Sequence, residues 1–331
     1  MLNMNLDKLL ALKKNFCGRK IAVIGDLMID GYFWGVVNRI SPEAPVSVVE
    51  VGEEFFRFGG AANVALNILK LNAIPIPIGV VGKDNNADIF NSLLFEAGIK
   101  KDGIIIDEER PTTCKTRVIA ANQHVVRIDK EKKHPISTEV QQKIITFLTE
   151  NISDIDAIIL QDYNKGVLTK ELIQEIIIIS NNNKKIVAVD PKFDNFFEYK
   201  NVTVFKPNKK ETESVLGIKI DTPEKLKFAG NELLSRLNSK YVLITLGPEG
   251  IVLFEKDKPL IQIPTKARKV ADVSGAGDTV ISTLTLALCA GADIQEAAYL
   301  ANYAGGLVCE EVGIIPIEIE KLFEQIQSEM K

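Results

Sequence analysis

The sequence predicts an α/β protein with a doubly wound, mostly parallel sheet that carries helices on both faces. Short β-branched apolar runs recur along the chain and alternate with amphipathic segments of helical spacing. Continuous apolar runs of this kind are typical of parallel strands that are buried on both faces. We expect strands at residues 21–24, 76–81, 157–160, 186–189, 202–205 and 242–245.

The helices follow from apolar spacing and from residues that begin or end helices. Residues 1–16 predict a surface helix, and Gly98 and Gly291 stand where helix C-terminal caps are expected. Further helices are predicted at residues 61–71, 87–97, 138–150, 170–180, 223–237, 276–290, 294–310 and 316–326.

Two regions, 32–58 and 114–129, show strand-like alternation without a helix of useful length between successive strands. Pro42 and Pro45 fit turn or edge positions in the first region. We expect both regions to form a small antiparallel β flap over one edge of the main sheet, with a second use as a dimer contact. Since no long linker, repeat or low-complexity tract is visible, residues 1–331 are expected to form a single domain.

Composition narrows the classes of function. A formal net charge of -4 and an isoelectric point near 5.5 give no general basic field for binding nucleic acid. The four cysteines are widely spaced without a CxxC pair, which indicates reduced thiols. The most apolar later stretch, 280–292, is too short to cross a bilayer. We expect a cytoplasmic protein whose ligands are small molecules, with no nucleic-acid or membrane partner.

The strongest functional signal is the segment DVSGAGDT at residues 272–279, which leads directly into a predicted helix. Gly275, Ala276 and Gly277 let the backbone approach a ligand, and the helix start directs free N–H groups and a positive dipole end at it. This combination predicts an anion-binding loop. Asp278 would repel a phosphate there unless it takes a proton from an attacking hydroxyl, so it is a candidate general base.

A purely structural interpretation of the same segment is a tight turn with Asp278 as the helix N-cap. The segment lacks the GxxxxGK[ST] pattern of a P-loop, and Val280 stands where the third glycine of a GxGxxG dinucleotide motif would be. These two common phosphate motifs therefore do not account for it.

Residues 272–279 resemble the C-terminal signature of the ribokinase-like carbohydrate kinases, and residues 59–65, GGAANVA, are similar to their N-terminal signature. The resemblance extends along essentially the whole chain. It implies that Gly275, Ala276 and Gly277 form the anion hole and Asp278 is the base. It also implies that two residues near the second signature, Gly60 and Asn63, contact the sugar.

The same resemblance implies a nucleotide site for ATP with Mg²⁺. Asn208 and Glu211 match the family's NxxE element, in which Glu211 would hold the metal through water. Thr245, Gly247 and Gly250 match its nucleotide loop, and Asn302 would lie near the adenine edge. Read alone, residues 208–211 equally fit a capping box, and residues 245–250 equally fit a glycine turn between strands.

Within the family, residues 25–30, 39–46, 162–166 and 190–192 resemble the subgroup that phosphorylates D-glycero-β-D-manno-heptose 7-phosphate. A substrate that already carries a phosphate requires cations, which the flap and nearby loops supply as Arg39, Arg117, Arg127, Lys115, Lys165 and Lys192. Asp30 is expected to bind sugar hydroxyls. Gly31 departs from the subgroup, in which a basic residue is commoner, and this leaves the sugar contacts less defined than the phosphoryl machinery.

The implied reaction is phosphorylation of the anomeric hydroxyl, giving the heptose 1,7-bisphosphate for ADP-heptose and lipopolysaccharide core synthesis. The resemblance covers only the kinase half of the bifunctional heptose enzymes, so a separate kinase polypeptide is expected. A kinase for another sugar, sugar phosphate or nucleoside and a non-catalytic sugar-binding regulator are the alternatives. The sequence leaves the need for a monovalent cation open.

Overall fold

A computed structural model describes residues 4–121, 123–265, 271–311, 313 and 315–330. Nine of its strands form one sheet in the order β13-β12-β11-β10-β9-β8-β1-β4-β5. These strands are β1 (Lys20–Gly25), β4 (Ile74–Val81), β5 (Ile104–Ile106), β8 (Ala157–Gln161), β9 (Ile186–Asp190), β10 (Val204–Phe205), β11 (Tyr241–Thr245), β12 (Ile251–Glu255) and β13 (Ile261–Ile263). Pairing is parallel from β5 to β11 and antiparallel at β12 and β13. The predicted strands are all present, but β10 covers only the last two residues of the strand predicted at 202–205.

Helices cover both faces of this sheet, as predicted. They are α1 (Leu6–Phe16), α2 (Ala61–Lys70), α3 (Asn85–Ala97), α4 (Thr138–Asn151), α5 (Lys170–Asn182), α6 (Lys209–Leu216), α7 (Pro223–Leu237), α8 (Ala276–Cys289), α9 (Ile294–Val308) and α10 (Ile319–Met330). Gly98 caps α3 in the left-handed conformation. The first three residues of the helix predicted at 1–16 lie outside the described residues.

Alternate residues of each central strand enter different hydrophobic cores because side chains alternate across a strand. In β1, Ile21 and Val23 pack with α1, α2, α8 and α9 on one face, whereas Ala22 and Ile24 pack with α4, α5 and α7 on the other. All four of these side chains are fully buried. The continuous apolar runs of the sequence follow from this double burial.

The expected flap is a second sheet in the order β3-β2-β6-β7, built from β2 (Leu27–Ile40), β3 (Ser47–Gly60), β6 (Thr113–Ala120) and β7 (Gln123–Lys130). Both outer pairings are antiparallel, and the central pairing of β2 with β6 is parallel. The sheet begins immediately after β1 and returns to the core through α2. It therefore stands over the carboxyl end of the main sheet.

Candidate active site

Polar side chains collect at the carboxyl ends of the central parallel strands. Gln161 ends β8, Asp190 ends β9 and Lys206 directly follows β10, and all three are buried. Along the chain, β4 and β5 add to one side of β1 and β8 to β10 add to the other, so the strand order reverses beside β1. Ligands of doubly wound sheets bind at such a reversal, outside the carboxyl ends of the strands.

Two helix starts meet above this crevice. Helix α8 begins after Gly275, whose φ of 81° is left-handed, and it carries Asp278 in its first turn. Helix α2 begins after Gly60, whose φ is 56° and whose added Cβ would lie 2.4 Å from the Asp26 carbonyl oxygen. A residue with a side chain is excluded at position 60 by both conformation and space. This glycine places Asn63 of α2 beside α8.

The Asp278 cluster consists of Asn63, Gln161, Tyr163 and Asp278. The Asn63 amide donates to Oδ2 of Asp278 at 2.7 Å, while the Gln161 amide and the Tyr163 hydroxyl donate to Oδ1 at 3.1 and 2.9 Å. A carboxylate offers about four acceptor positions. These three donors fix its orientation and leave room for one further donor.

Burial raises the pKa of Asp278 to about 6, and the negative charge of Asp190 contributes in the same direction. Hydrogen bonds from Asn63 and Tyr163 partly offset the rise by favouring the ionised form. Burial also raises the pKa of Tyr163 well above its usual value, so that its hydroxyl stays a donor. A carboxylate with a pKa of about 6 is ionised at neutral pH and can accept a proton.

The predicted anion-binding loop has the required free donors. Within the part of the chain that the structure describes, the N–H groups of Gly277 and Asp278 have no hydrogen-bond acceptor. A Cβ added to Gly277 would lie 3.7 Å from Lys206 Nζ, and Lys206 is itself paired with Asp190 at 3.0 Å. Two backbone donors and a buried ammonium thus surround one small space, a suitable arrangement for an anion.

The loop that carries Tyr163 is held by a buried carboxylate at the end of β1. The carboxylate of Asp26 accepts the N–H groups of Tyr163, Lys165 and Val167 at 2.8, 3.1 and 3.2 Å. Three such bonds from one short segment fix the backbone at every second residue. Asp26 therefore positions the Tyr163 hydroxyl for Asp278.

The NxxE segment forms the capping box that its sequence allowed. Asn208 caps α6 by accepting the Glu211 N–H at 2.9 Å, and Glu211 Oε2 accepts the Asn208 N–H at 2.8 Å. Glu211 Oε1 is ion-paired with Lys192, whose Nζ also lies 5.6 Å from the Tyr163 ring centroid. The capping-box interpretation is confirmed. Lys192 connects Glu211 to the Asp278 cluster, because its ammonium is paired with Glu211 and lies beside the Tyr163 ring.

The predicted nucleotide loop lies next to this cap. Thr245 ends β11 and forms a parallel bridge with Asn208. A single turn follows between Gly247 and Gly250, whose φ values of 61° and 89° are left-handed and favour glycine. Asn302 lies within α9, buried, and donates to the Pro264 carbonyl at 2.8 Å.

Most of the flap cations that sequence analysis selected are paired with carboxylates. Arg117 pairs with Asp30 at 2.5 Å, and Lys165 pairs with Glu131 at 2.8 Å. Arg127 makes two bonds to Asp129, at 2.9 and 3.0 Å, and its side chain is mostly exposed. Arg127 therefore lies on the edge strand of the flap with its side chain largely in solvent.

Arg39 lies elsewhere. It is exposed near the outer end of β2, nine residues beyond Asp30. At about 3.3 Å per residue the intervening strand is about 30 Å long. The structure therefore does not bring Arg39 to the Asp278 cluster of its own chain.

Sequence analysis missed Gln161 and Lys206 and named Tyr163 only as part of a motif. Each lies at the end of a buried apolar strand or just after it, and polar residues at that position point into the crevice of a parallel sheet. That position was the available signal. Their convergence on Asp278 and Asp190 joins residues far apart in the chain, which no local pattern reports.

Among the described residues, no group of three or more His, Cys, Asp or Glu side chains could hold a metal ion. The same residues contain no helix long and apolar enough to cross a membrane. Glu211, which the family pattern selects, is ion-paired with Lys192 beside the Asp278 cluster. Since both of its oxygens already accept protein donors, it fits a metal held mainly by phosphate and reached through water.

The fold and this site define a ribokinase-like kinase as the class of protein. A doubly wound sheet, a small second sheet and a helix start with a buried carboxylate occur together. The chain belongs to the pfkB family of carbohydrate kinases, whose profile, described as "pfkB family carbohydrate kinase", matches residues 19–321.

Two curated relatives carry the name "Bifunctional protein HldE". The one from Desulfatibacillum aliphaticivorans is 43% identical over 314 residues, covering 95% of this chain and 64% of the relative. The one from Helicobacter pylori strain ATCC 700392 / 26695 is 43% identical over 304 residues, covering 92% and 66%. This chain thus spans slightly less than two thirds of their length.

Solved structures agree on the fold. A ribokinase from Arabidopsis thaliana complexed with ribose and ATP has a TM-score of 0.72 and 18% identity, covering 93% of this chain and 99% of that one. Phosphofructokinase-2 from Escherichia coli in complex with potassium has a TM-score of 0.74 and 19% identity, covering 95% and 99%. The predicted ribokinase-like fold is confirmed.

Proposed function

We propose that this chain transfers the γ-phosphoryl group of ATP to the anomeric hydroxyl of D-glycero-β-D-manno-heptose 7-phosphate. The product would be the 1,7-bisphosphate, for ADP-heptose and lipopolysaccharide core synthesis. The observation that carries the kinase chemistry is the buried Asp278 carboxylate, with one acceptor position open next to the free N–H groups of Gly277 and Asp278. Family membership and the relatives at 43% identity support the substrate class.

In this proposal Asp278 is the general base. The sugar O–H bond breaks as its proton passes to Asp278, an O–P bond forms to the γ-phosphorus, and the bond between that phosphorus and the leaving ADP oxygen breaks. The transition state is largely dissociative, so alignment and charge neutralisation matter more than base strength. A carboxylate whose pKa is about 6 suffices for this role.

The remaining residues bind and orient. The anion loop, Gly275, Ala276 and Gly277, together with Lys206, would hold the migrating phosphoryl group. Nucleotide contacts would come from Asn208, Thr245, Gly247, Gly250 and Asn302, and sugar contacts from Asp30, Gly60 and Asn63. Mg²⁺ bound to the phosphates, and to Glu211 through water, would neutralise charge on the leaving group.

A substrate panel tests the proposal. ADP release is measured with heptose 7-phosphate, ribose, fructose 6-phosphate and adenosine as acceptors, at saturating ATP and Mg²⁺. We expect the highest kcat/KM for heptose 7-phosphate and a 1,7-bisphosphate product by ³¹P NMR. Preference for another acceptor would remove the heptose assignment and keep the kinase class.

Asp278→Asn tests the base. The substitution should lower kcat by a factor of about 10² to 10⁴ and leave ATP affinity nearly unchanged, because Asn keeps the shape of the side chain. Asp154→Asn, at an exposed carboxylate paired with Lys20, is the matched control. An undiminished rate in Asp278→Asn would favour a non-catalytic sugar-binding role.

We also propose that the chain forms a homodimer through the flap and works in the cytoplasm. On the face of the flap that carries Phe33, the strand register brings together the exposed apolar side chains Val51, Val126 and Ile128, and an apolar patch of this kind marks an interaction surface. Light scattering after size exclusion should give twice the chain mass, and Val126→Lys combined with Ile128→Lys should give monomers. A monomeric unmodified protein would contradict the dimer.

A further inference from the structure

A row of four charged residues crosses the flap from one edge to the other. Register pairs Arg57 of β3 with Asp30 of β2, Asp30 with Lys115 of β6, and Lys115 with Asp129 of β7. Lys115 therefore has a carboxylate on each neighbouring strand. Opposite charges in such positions would normally form ion pairs.

Both neighbouring carboxylates instead bind arginines of the adjacent cross-strand pair, Arg117 of β6 and Arg127 of β7. Asp30 is ion-paired with Arg117 at 2.5 Å, and Asp129 accepts two hydrogen bonds from Arg127. Within the described residues, the Lys115 ammonium has no carboxylate within 4.0 Å. Three other lysines at this crevice, Lys165, Lys192 and Lys206, are each ion-paired.

The Lys115 ammonium is also poorly solvated. The side chain is half-buried, and burial lowers the pKa of Lys115, with the nearby positive charge of Lys165 contributing in the same direction. A partly desolvated cation without a carboxylate partner is costly. An anion arriving at this point would therefore be bound with an unusually large gain.

The position of Lys115 relative to Asp278 specifies which anion that is. Lys115 Nζ lies 5.5 Å from the Tyr163 ring centroid, and the hydroxyl of the same ring donates to Asp278. The same aromatic ring thus contacts the ammonium over its face and the reacting carboxylate through its hydroxyl. A sugar ring with an exocyclic phosphate spans a comparable gap, with its hydroxyl at Asp278 and its phosphate at Lys115.

We propose that Lys115 is the principal contact of the phosphate that the acceptor sugar already carries. This inference rests on the proposed function and assigns the substrate phosphate to one cation among several on the flap. Lys165 and Arg117 stand close enough to assist, but each would have to share its charge with a carboxylate that it already binds. Lys115 has its full charge available.

The test compares two acceptors, heptose 7-phosphate and unphosphorylated heptose, in the unmodified chain and in Lys115→Met. Methionine keeps the length and the apolar stem of the side chain. We expect kcat/KM for heptose 7-phosphate to fall at least about 10-fold, mainly through KM, as a charge-assisted contact is lost. The kcat/KM for unphosphorylated heptose should stay within about twofold, and Lys115→Arg should restore part of the loss.

Lys130→Met is the matched control, because Lys130 lies on β7 and is paired with Asp84. It should leave both values unchanged. Equal losses for both acceptors, or a preference for heptose 7-phosphate that survives Lys115→Met, would overturn the assignment. If the unmodified chain itself shows no preference for the phosphorylated sugar, the proposed function fails instead, and the two failures are thus distinguishable. Inhibition by inorganic phosphate, competitive with the sugar, should weaken in Lys115→Met by a similar factor.

Discussion

The Tyr163 hydroxyl donates a 2.9 Å hydrogen bond to Oδ1 of Asp278, across 115 positions of sequence. The Tyr163 ring contacts two lysines, with Lys115 and Lys192 Nζ at 5.5 and 5.6 Å from its centroid. One side chain therefore links the carboxylate to the cations on either side of it. This link makes the acidity of Asp278 dependent on Tyr163.

Tyr163→Phe should move the acid limb of the pH–kcat profile to higher pH. The bond from Tyr163 lowers the pKa of Asp278, so that its loss should raise an inflection near pH 6 by up to about one pH unit, the equivalent of one hydrogen bond. The ring and its lysine contacts remain. Tyr199→Phe is the control, because the Tyr199 hydroxyl donates to Asp162 instead, and its inflection should not move. An unshifted profile in Tyr163→Phe would contradict the coupling.

Gly277→Ala should separate stability from activity. The Cβ meets Asp190 Oδ2 and Lys206 Nζ at 3.7 Å, which is ordinary contact, and alanine favours a helix by up to about 1 kcal/mol. The free energy of unfolding should stay the same or rise. In contrast, kcat/KM for ATP should fall at least about 10-fold, because the methyl group enters the space beside Lys206 that the phosphate would occupy.

The neighbouring Gly275→Ala provides the contrast for that variant. Its φ of 81° strains any side chain, so we expect a loss of roughly 1 kcal/mol in unfolding free energy. Gly52→Ala, with its nearest neighbour at 3.9 Å, should change neither quantity. Full activity in Gly277→Ala would show that phosphate does not occupy the space beside Lys206.

The stability of Asp278→Asn relative to the unmodified chain should increase as the pH rises. The folded-state pKa of Asp278 is raised from 3.8 to about 6, so the folded state binds the proton more tightly and its stability falls as pH rises between these values. At pH 7 the ionised side chain costs up to about 3 kcal/mol. Asparagine does not ionise and avoids this cost.

Urea unfolding at pH 4.5, 6 and 7.5 measures that difference. It should be small at pH 4.5 and largest at pH 7.5, while Asp154→Asn, at an exposed carboxylate, should show no such trend. A difference in unfolding free energy that is constant with pH would mean that the pKa of Asp278 is not raised in the folded state.

Much of the fold could be predicted because its determinants are local. The apolar runs became β1, β4, β8, β9, β10 and β11 since each is buried on both faces, and the predicted helix at 223–237 has the observed ends, fixed by Thr222 as N-cap and Pro223 in the first turn. The parallel pairing of β2 with β6 was not predictable, because alternation specifies faces and not partners.

The site was only partly predictable for the same reason. The backbone donors at Gly277 and Asp278 follow from a short motif, but the Asn63 and Gln161 contacts to Asp278 join segments 215 and 117 residues apart. The choice among the flap cations likewise depends on which carboxylate each one meets. Arg117 and Lys115 look equivalent in the sequence, and only the packing distinguishes them.

Gly60 is both the last residue of β3 and the N-cap of α2. The flap therefore passes into the helix that bears Asn63 with no flexible joint between them. A tilt of the flap would move the start of α2 and with it the Asn63 amide. Because this amide donates to Asp278, the orientation of the carboxylate would change as well. A flap that closed over the acceptor sugar would in the same movement orient the oxygen that accepts the proton.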